Sequence, residues 1–178
     1  METLARRTAD LEAALDELRA SPRGEGTVEL IVRRPEVEQR ELLDEGELSL
    51  EEGLVGDVWS RRGKRPNRKA QLTLMNARCA QLVAGPKERW ALAGDQLYVD
   101  FDLSDEHLPA GTRLAVGDAV VEVTDLPHLG CSKFTSRFGA EARAFVNSPE
   151  GVALNLRGIN TRVVEPGTVR VGDAIRKL

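Results

Sequence analysis

Leu114-Ala115-Val116-Gly117-Asp118-Ala119-Val120-Val121-Glu122-Val123 reads as two short strands folded back on each other. Apolar, β-branched residues flank a Gly-Asp pair. Glycine accepts positive φ without a Cβ clash and aspartate bonds its own backbone, which suits a tight turn. Val116-Gly117-Asp118-Ala119 recurs as Val171-Gly172-Asp173-Ala174, set between Val169–Val171 and Ile175. Two similar hairpins are the simplest expectation. Gly56-Asp57 and Gly94-Asp95 punctuate other apolar runs in the same way. Short strands spaced irregularly around such turns predict a mainly β, α+β fold. The expected sheet is closed or folded over and antiparallel, rather than built of parallel βαβ layers.

Working outward, Thr27–Arg33 is β-rich and Val37–Glu45, closed by Gly46, predicts a short helix. A second helix is expected over Asn76–Ala84, after the apolar run Leu72-Thr73-Leu74-Met75. A third is expected over Ser132–Val146, where Phe134, Phe138, Ala142 and Phe145 recur at helical spacing. At the start, Leu4, Leu11, Leu15 and Leu18 form a narrow apolar stripe among Arg, Asp and Glu. This predicts one amphipathic helix, residues 1–22 with its Ser21-Pro22 stop, that packs on the domain at 27–178 or joins a second copy of the chain.

Composition narrows the function classes. The chain has 178 residues, which suits one domain with a helical extension. Its net charge is −4 and its pI about 5.4, so nucleic acid is not an expected partner. No stretch approaches the roughly 18 apolar residues of a membrane span, and no apolar block follows Met1, so a cytoplasmic protein is expected. Cys79 and Cys131 are too few for a disulfide framework and read as free thiols. His107 and His128 are the only histidines, and no CxxC or HxxxH spacing marks a zinc site. P-loop, GxGxxG and serine-triad patterns are absent.

Cys131 lies in Asp125-Leu126-Pro127-His128-Leu129-Gly130-Cys131-Ser132-Lys133-Phe134, where a strand ends and a helix begins. Free N–H groups at a helix start favour an anion, and so a thiolate, the form of cysteine that attacks sulfur or binds metal. His128, Lys133 and Arg137 are close in sequence. Cys79, inside a helical pattern, reads as inert core. The run Arg61-Arg62-Gly63-Lys64-Arg65-Pro66-Asn67-Arg68-Lys69 has six cations in nine residues of an acidic chain, a loop suited to a phosphate or other anion. Arg157 is a further candidate anion contact, and Asp95 and Gln96 could orient a ligand.

The order of short motifs resembles the MOSC domain, the module named for the C-terminal part of molybdenum cofactor sulfurase. The motifs are Gly53-Leu54-Val55-Gly56-Asp57, Gln71-Leu72-Thr73-Leu74, Ala93-Gly94-Asp95-Gln96-Leu97, Leu108–Leu114, Val116-Gly117-Asp118, Cys131-Ser132-Lys133-Phe134 with Arg137-Phe138-Gly139, Arg157-Gly158, and Gly167–Asp173. The resemblance spans residues 27–178. It implies a closed antiparallel β-barrel with a few short helices and one functional cysteine, matched by Cys131. That cysteine would carry sulfur as a persulfide or ligate molybdenum of a bound molybdopterin. The family's associations also include pyridoxal phosphate binding. Arg61, Arg62, Lys64, Arg65, Arg68, Lys69 and Arg157 then become candidate contacts to the cofactor's phosphate, and Asp95, Gln96 and Lys133 further candidates for binding the cofactor. The resemblance leaves three functions open: sulfur or cofactor handling, a molybdenum-dependent reductase of N-hydroxylated compounds, and a non-catalytic interaction module. The first would need a sulfur-donor protein and the second an electron-transfer protein.

Overall fold

The computed structural model describes residues 8–178. It opens with α1 (Thr8–Ala13), α2 (Leu15–Arg19), β1 (Glu25–Arg33), β2 (Glu41–Leu43), β3 (Glu45–Ser49) and β4 (Gly53–Leu54). β5 (Leu72–Asn76), α3 (Ala77–Ala84), β6 (Leu97–Asp100), β7 (Arg113–Val116) and β8 (Ala119–Val123) follow. The chain ends with α4 (Ser132–Phe138), α5 (Ala140–Val146), α6 (Pro149–Ala153), β9 (Ile159–Glu165), β10 (Gly167–Arg170) and β11 (Ala174–Lys177).

Seven strands close into a barrel in the order β11-β7-β8-β9-β5-β6-β1, with β1 pairing back onto β11. The strand alternation predicts which side chains fill it. Leu97 and Val99 of β6 point into the barrel, while Tyr98 between them joins a second core on the outer face. In β1 the register slips between Val28 and Leu30, so Val28 and Ile31 face inward and Leu30 and Val32 outward. A bulge of this kind bends a strand around a barrel and re-aims its side chains. The outer core joins Leu30, Val32, Met75 and Tyr98 to the helices through Cys79, Val83, Phe134, Phe138 and Phe145.

Five sequence expectations change, the last of them at the N-terminus. The sheet is mixed, because β5 and β6 run parallel. Parallel neighbours need a crossover, and α3 with a 3-10 turn at Lys87–Ala93 supplies it. All of β5 is buried, on both faces, which explains its nearly unbroken apolar run. The hairpin at Gly117-Asp118 forms, with Val116 opposite Ala119. The second Gly-Asp does not make one: β10 pairs with β3 in a separate three-stranded sheet, while β11 enters the barrel. Val37–Glu45 is not a helix; its Val37 and Leu42 are 62% and 60% exposed, and residues 41–43 add to the edge of β1. The helix expected over Ser132–Val146 is divided at Gly139 (φ 96°), yet Phe134, Phe138, Ala142 and Phe145 are all buried as their spacing predicts.

The N-terminal helix is likewise two short pieces in the described residues, α1 and α2, joined at Ala14. Leu11, Leu15 and Leu18 are buried in the outer core and α1 packs on α5, so no second copy is needed to cover this part of the stripe. Leu4 lies outside the described residues. Ser21 fastens the segment: its Oγ donates to Leu18 O (2.7 Å) and accepts from Asn76 Nδ2 (2.9 Å).

Candidate functional site

Cys131 immediately precedes α4, in extended backbone. The loop before it is pinned to α5, because Gly130 N–H donates to Asn147 Oδ1 (2.8 Å) and Gly130 O accepts from Asn147 Nδ2 (2.9 Å). Its side chain is exposed. Partial burial opposes ionisation of the thiol. The backbone N–H groups of Phe134 and Lys133 and the charge of Arg157 outweigh it and hold the pKa below the ordinary value. Cys79 is the opposite case: fully buried in α3, with burial pushing its thiol up to about 12.

The Cys131 sulfur shares a cavity of about 620 Å³ with seven cationic side chains: Arg34, Arg40, Arg62, Arg65, Lys133, Arg137 and Arg157. Only two carboxylates line it, Glu36 and Glu38. Trp59, Phe134, Pro127 and Leu129 supply apolar wall. Burial lowers the pKa of Arg62, and the neighbouring charge of Arg34 adds to this; Arg40 is lowered likewise by burial and by Arg137. So many cations in one concavity repel one another and favour an anionic guest.

Beneath the cavity lie two buried carboxylates. Asp95 receives Arg157 Nη1 (2.5 Å) and His128 Nε2 (2.8 Å) and is fully buried. Burial alone would raise its pKa, but Arg157 and then His128 hold it well below the ordinary range. Because a carboxylate only accepts, Nε2 of His128 carries the proton and Nδ1 is left without one when the ring is neutral. Arg157 Nη2 also donates to Ala93 O (2.8 Å), and its guanidinium lies 5.2 Å from the Phe134 ring centroid. Its Nε is buried and has no hydrogen-bond partner, an uncommon state for an interior donor. Gly158 makes this packing possible: at φ 133°, a Cβ there would meet Leu74 O at 2.5 Å and His128 Cδ2 at 2.9 Å. The second carboxylate, Asp57, accepts from Arg34 Nε (3.0 Å) and Nη2 (2.7 Å). Gln96 links it to β5, receiving Thr73 N–H (2.9 Å) and Thr73 Oγ1 (2.7 Å) on Oε1 and offering Nε2 to Asp57 at 3.4 Å.

The structure thus gathers Cys131, Arg62, Arg65, Lys133 and Arg157 into one cavity. Asp95 and Gln96 do not line it; both are fully buried and hold the walls. The rest of the basic run is spent elsewhere. Arg61 donates to Pro35 O, Arg68 to Leu50 O (3.1 Å), and Lys69 pairs with Asp125 (2.8 Å). Arg68 and Lys69 line a separate cleft with Glu122 and Arg162, and Lys64 is exposed without a partner among the described residues. The loop bends over residues 62–65, and its second half enters a short 3-10 segment at Arg68–Ala70. Sequence reasoning missed Arg34 and Arg40. The one signal was Arg33-Arg34-Pro35, a basic pair at a strand end far in sequence from Cys131.

A family model described as the MOSC domain matches residues 83–176. The chain belongs to the MOSC domain family. Solved structures with this fold include the YuaD protein of Bacillus subtilis, with a TM-score of 0.60, 19% identity and coverage of 85% of this chain and 94% of that one. A crystal structure titled as a hypothetical protein gives 0.59 and 19%, over 87% and 68%. YiiM of Escherichia coli gives 0.56 and 18%, over 85% and 69%. At these identities the likeness is one of fold. A search of curated proteins finds no match. Like the sequence, the structure gives this MOSC protein no helix among the described residues long and apolar enough to cross a membrane.

Proposed function

We propose that this MOSC protein binds the molybdenum cofactor in the Cys131 cavity, with Cys131 as the sulfur that ligates molybdenum or carries a sulfane sulfur. The observation that carries the reading is the shared cavity of an exposed thiol, its pKa held below the ordinary value, and seven cations, one of them Arg157 with an unpartnered buried Nε. The residues fit the group. Thiolate is a soft ligand that suits a transition metal. Among the described residues no cluster of three His, Cys, Asp or Glu side chains is assembled, so the metal would bring its remaining ligands with it. Arg62, Arg65 and Arg157 would hold the phosphate through charge-assisted bonds. When bound, the cofactor would supply redox-active molybdenum.

The chain's own residues define the rest. The Lys133 and Phe134 amides stabilise the thiolate at Cys131, and Asp95 keeps Arg157 and His128 facing it across a fixed wall. In sulfur transfer, the Cys131 thiolate attacks the outer sulfur of a donor persulfide. One S–S bond forms as another breaks, the donor leaves as its thiolate, and no oxidant is consumed.

The test is purification from molybdate-supplied cells, with metal and pterin analysis, and mass spectrometry of Cys131 after treatment with a persulfide donor. Copurifying molybdenum and pterin, or one added sulfur on Cys131 that Cys131→Ala removes, supports the reading. Absence of all three overturns it.

A further inference from the structure

Glu38 is one of two non-glycine residues with positive φ among those described (66°). It sits on the rim of the cavity and reaches across to α4. Its Oε1 accepts from Lys133 Nζ (3.2 Å) and Arg137 Nη2 (3.2 Å), and its Oε2 accepts from Arg137 Nη2 (3.0 Å). Arg137 is a fixed donor to this carboxylate: its other amino group donates to Leu92 O (2.9 Å), and its side chain is only 18% exposed. Lys133 and Arg137 together hold the Glu38 carboxyl below its ordinary pKa, so it stays ionised.

The segment bearing Glu38 is anchored at both ends. Arg61 donates to Pro35 O, and Arg40 Nε donates to Ala91 O (3.0 Å). Between them runs a turn closed by Gln39 N–H to Glu36 O (3.1 Å), with Val37 exposed at its tip. Glu38 alone ties this arc to α4 among the described hydrogen bonds. Its pair with Lys133 is exposed on both sides and therefore weak, Arg137 being the more covered partner, and both contacts are made from a backbone conformation that L residues disfavour. An internal carboxylate thus occupies two cations of α4, the helix that follows Cys131.

We propose that Lys133 and Arg137 form a seat for the carboxylate of a small-molecule substrate beside Cys131, and that Glu38 fills this seat until the substrate displaces it. The substrate class is a carboxylate because one guanidinium nitrogen of Arg137, shared between both carboxylate oxygens, and the Lys133 ammonium already hold one there. The inference rests on Cys131 as the reacting sulfur, as proposed above.

Two alkylating reagents test it on the full chain. Iodoacetate and iodoacetamide form the same S–C bond and release the same iodide, but only the first carries a carboxylate. The readout is the ratio of their rates at Cys131. Glu38→Gln should raise the iodoacetate-to-iodoacetamide ratio about fivefold over the natural chain, the factor for one surface ion pair. Glu36→Gln removes the same charge from the same rim, where Glu36 makes no ion pair among the described residues, and should change the ratio less than about twofold. Glu38→Gln combined with Arg137→Gln should return the ratio to that of the natural chain. Equal effects of Glu36→Gln and Glu38→Gln, or a raised ratio that survives loss of Arg137, would overturn the seat. If iodoacetamide labels Cys131 while no substitution moves the ratio, the seat fails and the thiol reading stands. If neither reagent labels Cys131, both fail.

Discussion

At Gly56-Asp57 and Gly94-Asp95 the aspartate is fully buried and holds an arginine, Arg34 in one case and Arg157 in the other. At Gly117-Asp118 and Gly172-Asp173 the same dipeptide turns the chain near solvent. Asp118 is 69% exposed and meets Arg170 at 3.5 Å, while Asp173 accepts the Arg170 N–H at 2.7 Å. The four glycines are alike, with φ of 87°, 89°, 55° and 94°. Local chemistry sets the turn, and tertiary position decides whether the aspartate also becomes a structural anion beneath the site.

The comparison is broken most sharply at Asp95. Asp95→Asn leaves Arg157 buried without its counter-charge and should cost about 3–5 kcal/mol in chemical denaturation, as breaking one side of a buried ion pair does. A cost near that of a surface pair would show that the two kinds of Gly-Asp do not differ. Asp57→Asn is milder, about 1.5–3 kcal/mol, because the amide oxygen left at that position can still accept the Arg34 backbone N–H (2.8 Å), a tie that the Asp95–Arg157 pair does not have. At the glycines the ranking reverses. A Cβ on Gly117 would meet Asp173 Oδ2 at 2.5 Å and Thr168 O at 2.8 Å, whereas on Gly94 its nearest neighbour is Arg137 Nη1 at 3.7 Å. Gly117→Ala should therefore lower the thermal midpoint more than Gly94→Ala, for which backbone strain of about 1–2 kcal/mol is the whole cost. Asp118→Asn should cost at most about 1 kcal/mol, the smallest change of the set.

Acid sharpens the same contrast. Asp57 and Asp95 ionise more readily in the fold than in the unfolded chain, where a carboxyl titrates near about 3.9. Each therefore stabilises the fold above that pH and loses its contribution as pH falls toward the lower folded value. Stability measured from pH 6 downward should fall less steeply for Asp95→Asn than for the natural chain.

Much of the fold was legible because side-chain period reports burial. The Phe134, Phe138, Ala142, Phe145 stripe and the Leu11, Leu15, Leu18 stripe are both buried as spaced, and the 117–118 turn forms where Gly-Asp stands. Helix continuity was not legible. Gly139 divides one stripe between two helices without moving it off the buried face. Leu42 misled because an edge strand leaves an apolar side chain exposed, which no periodic pattern distinguishes from a helix face. In the site, Cys131 stood out because a thiol at a strand-to-helix junction is chemically unusual. Arg34 and Arg40 did not, since a cation's value depends on what it faces.

The sequence by itself determined where the chain turns, which faces are apolar, and that one cysteine lies at a helix start, since turn chemistry and periodicity are local. Only the tertiary structure decided which arginines surround Cys131, which aspartates beneath them are buried, and that Glu38 reaches Lys133 and Arg137 from 95 and 99 residues away. Those are through-space facts: charges interact by distance and burial, and barrel closure sets both.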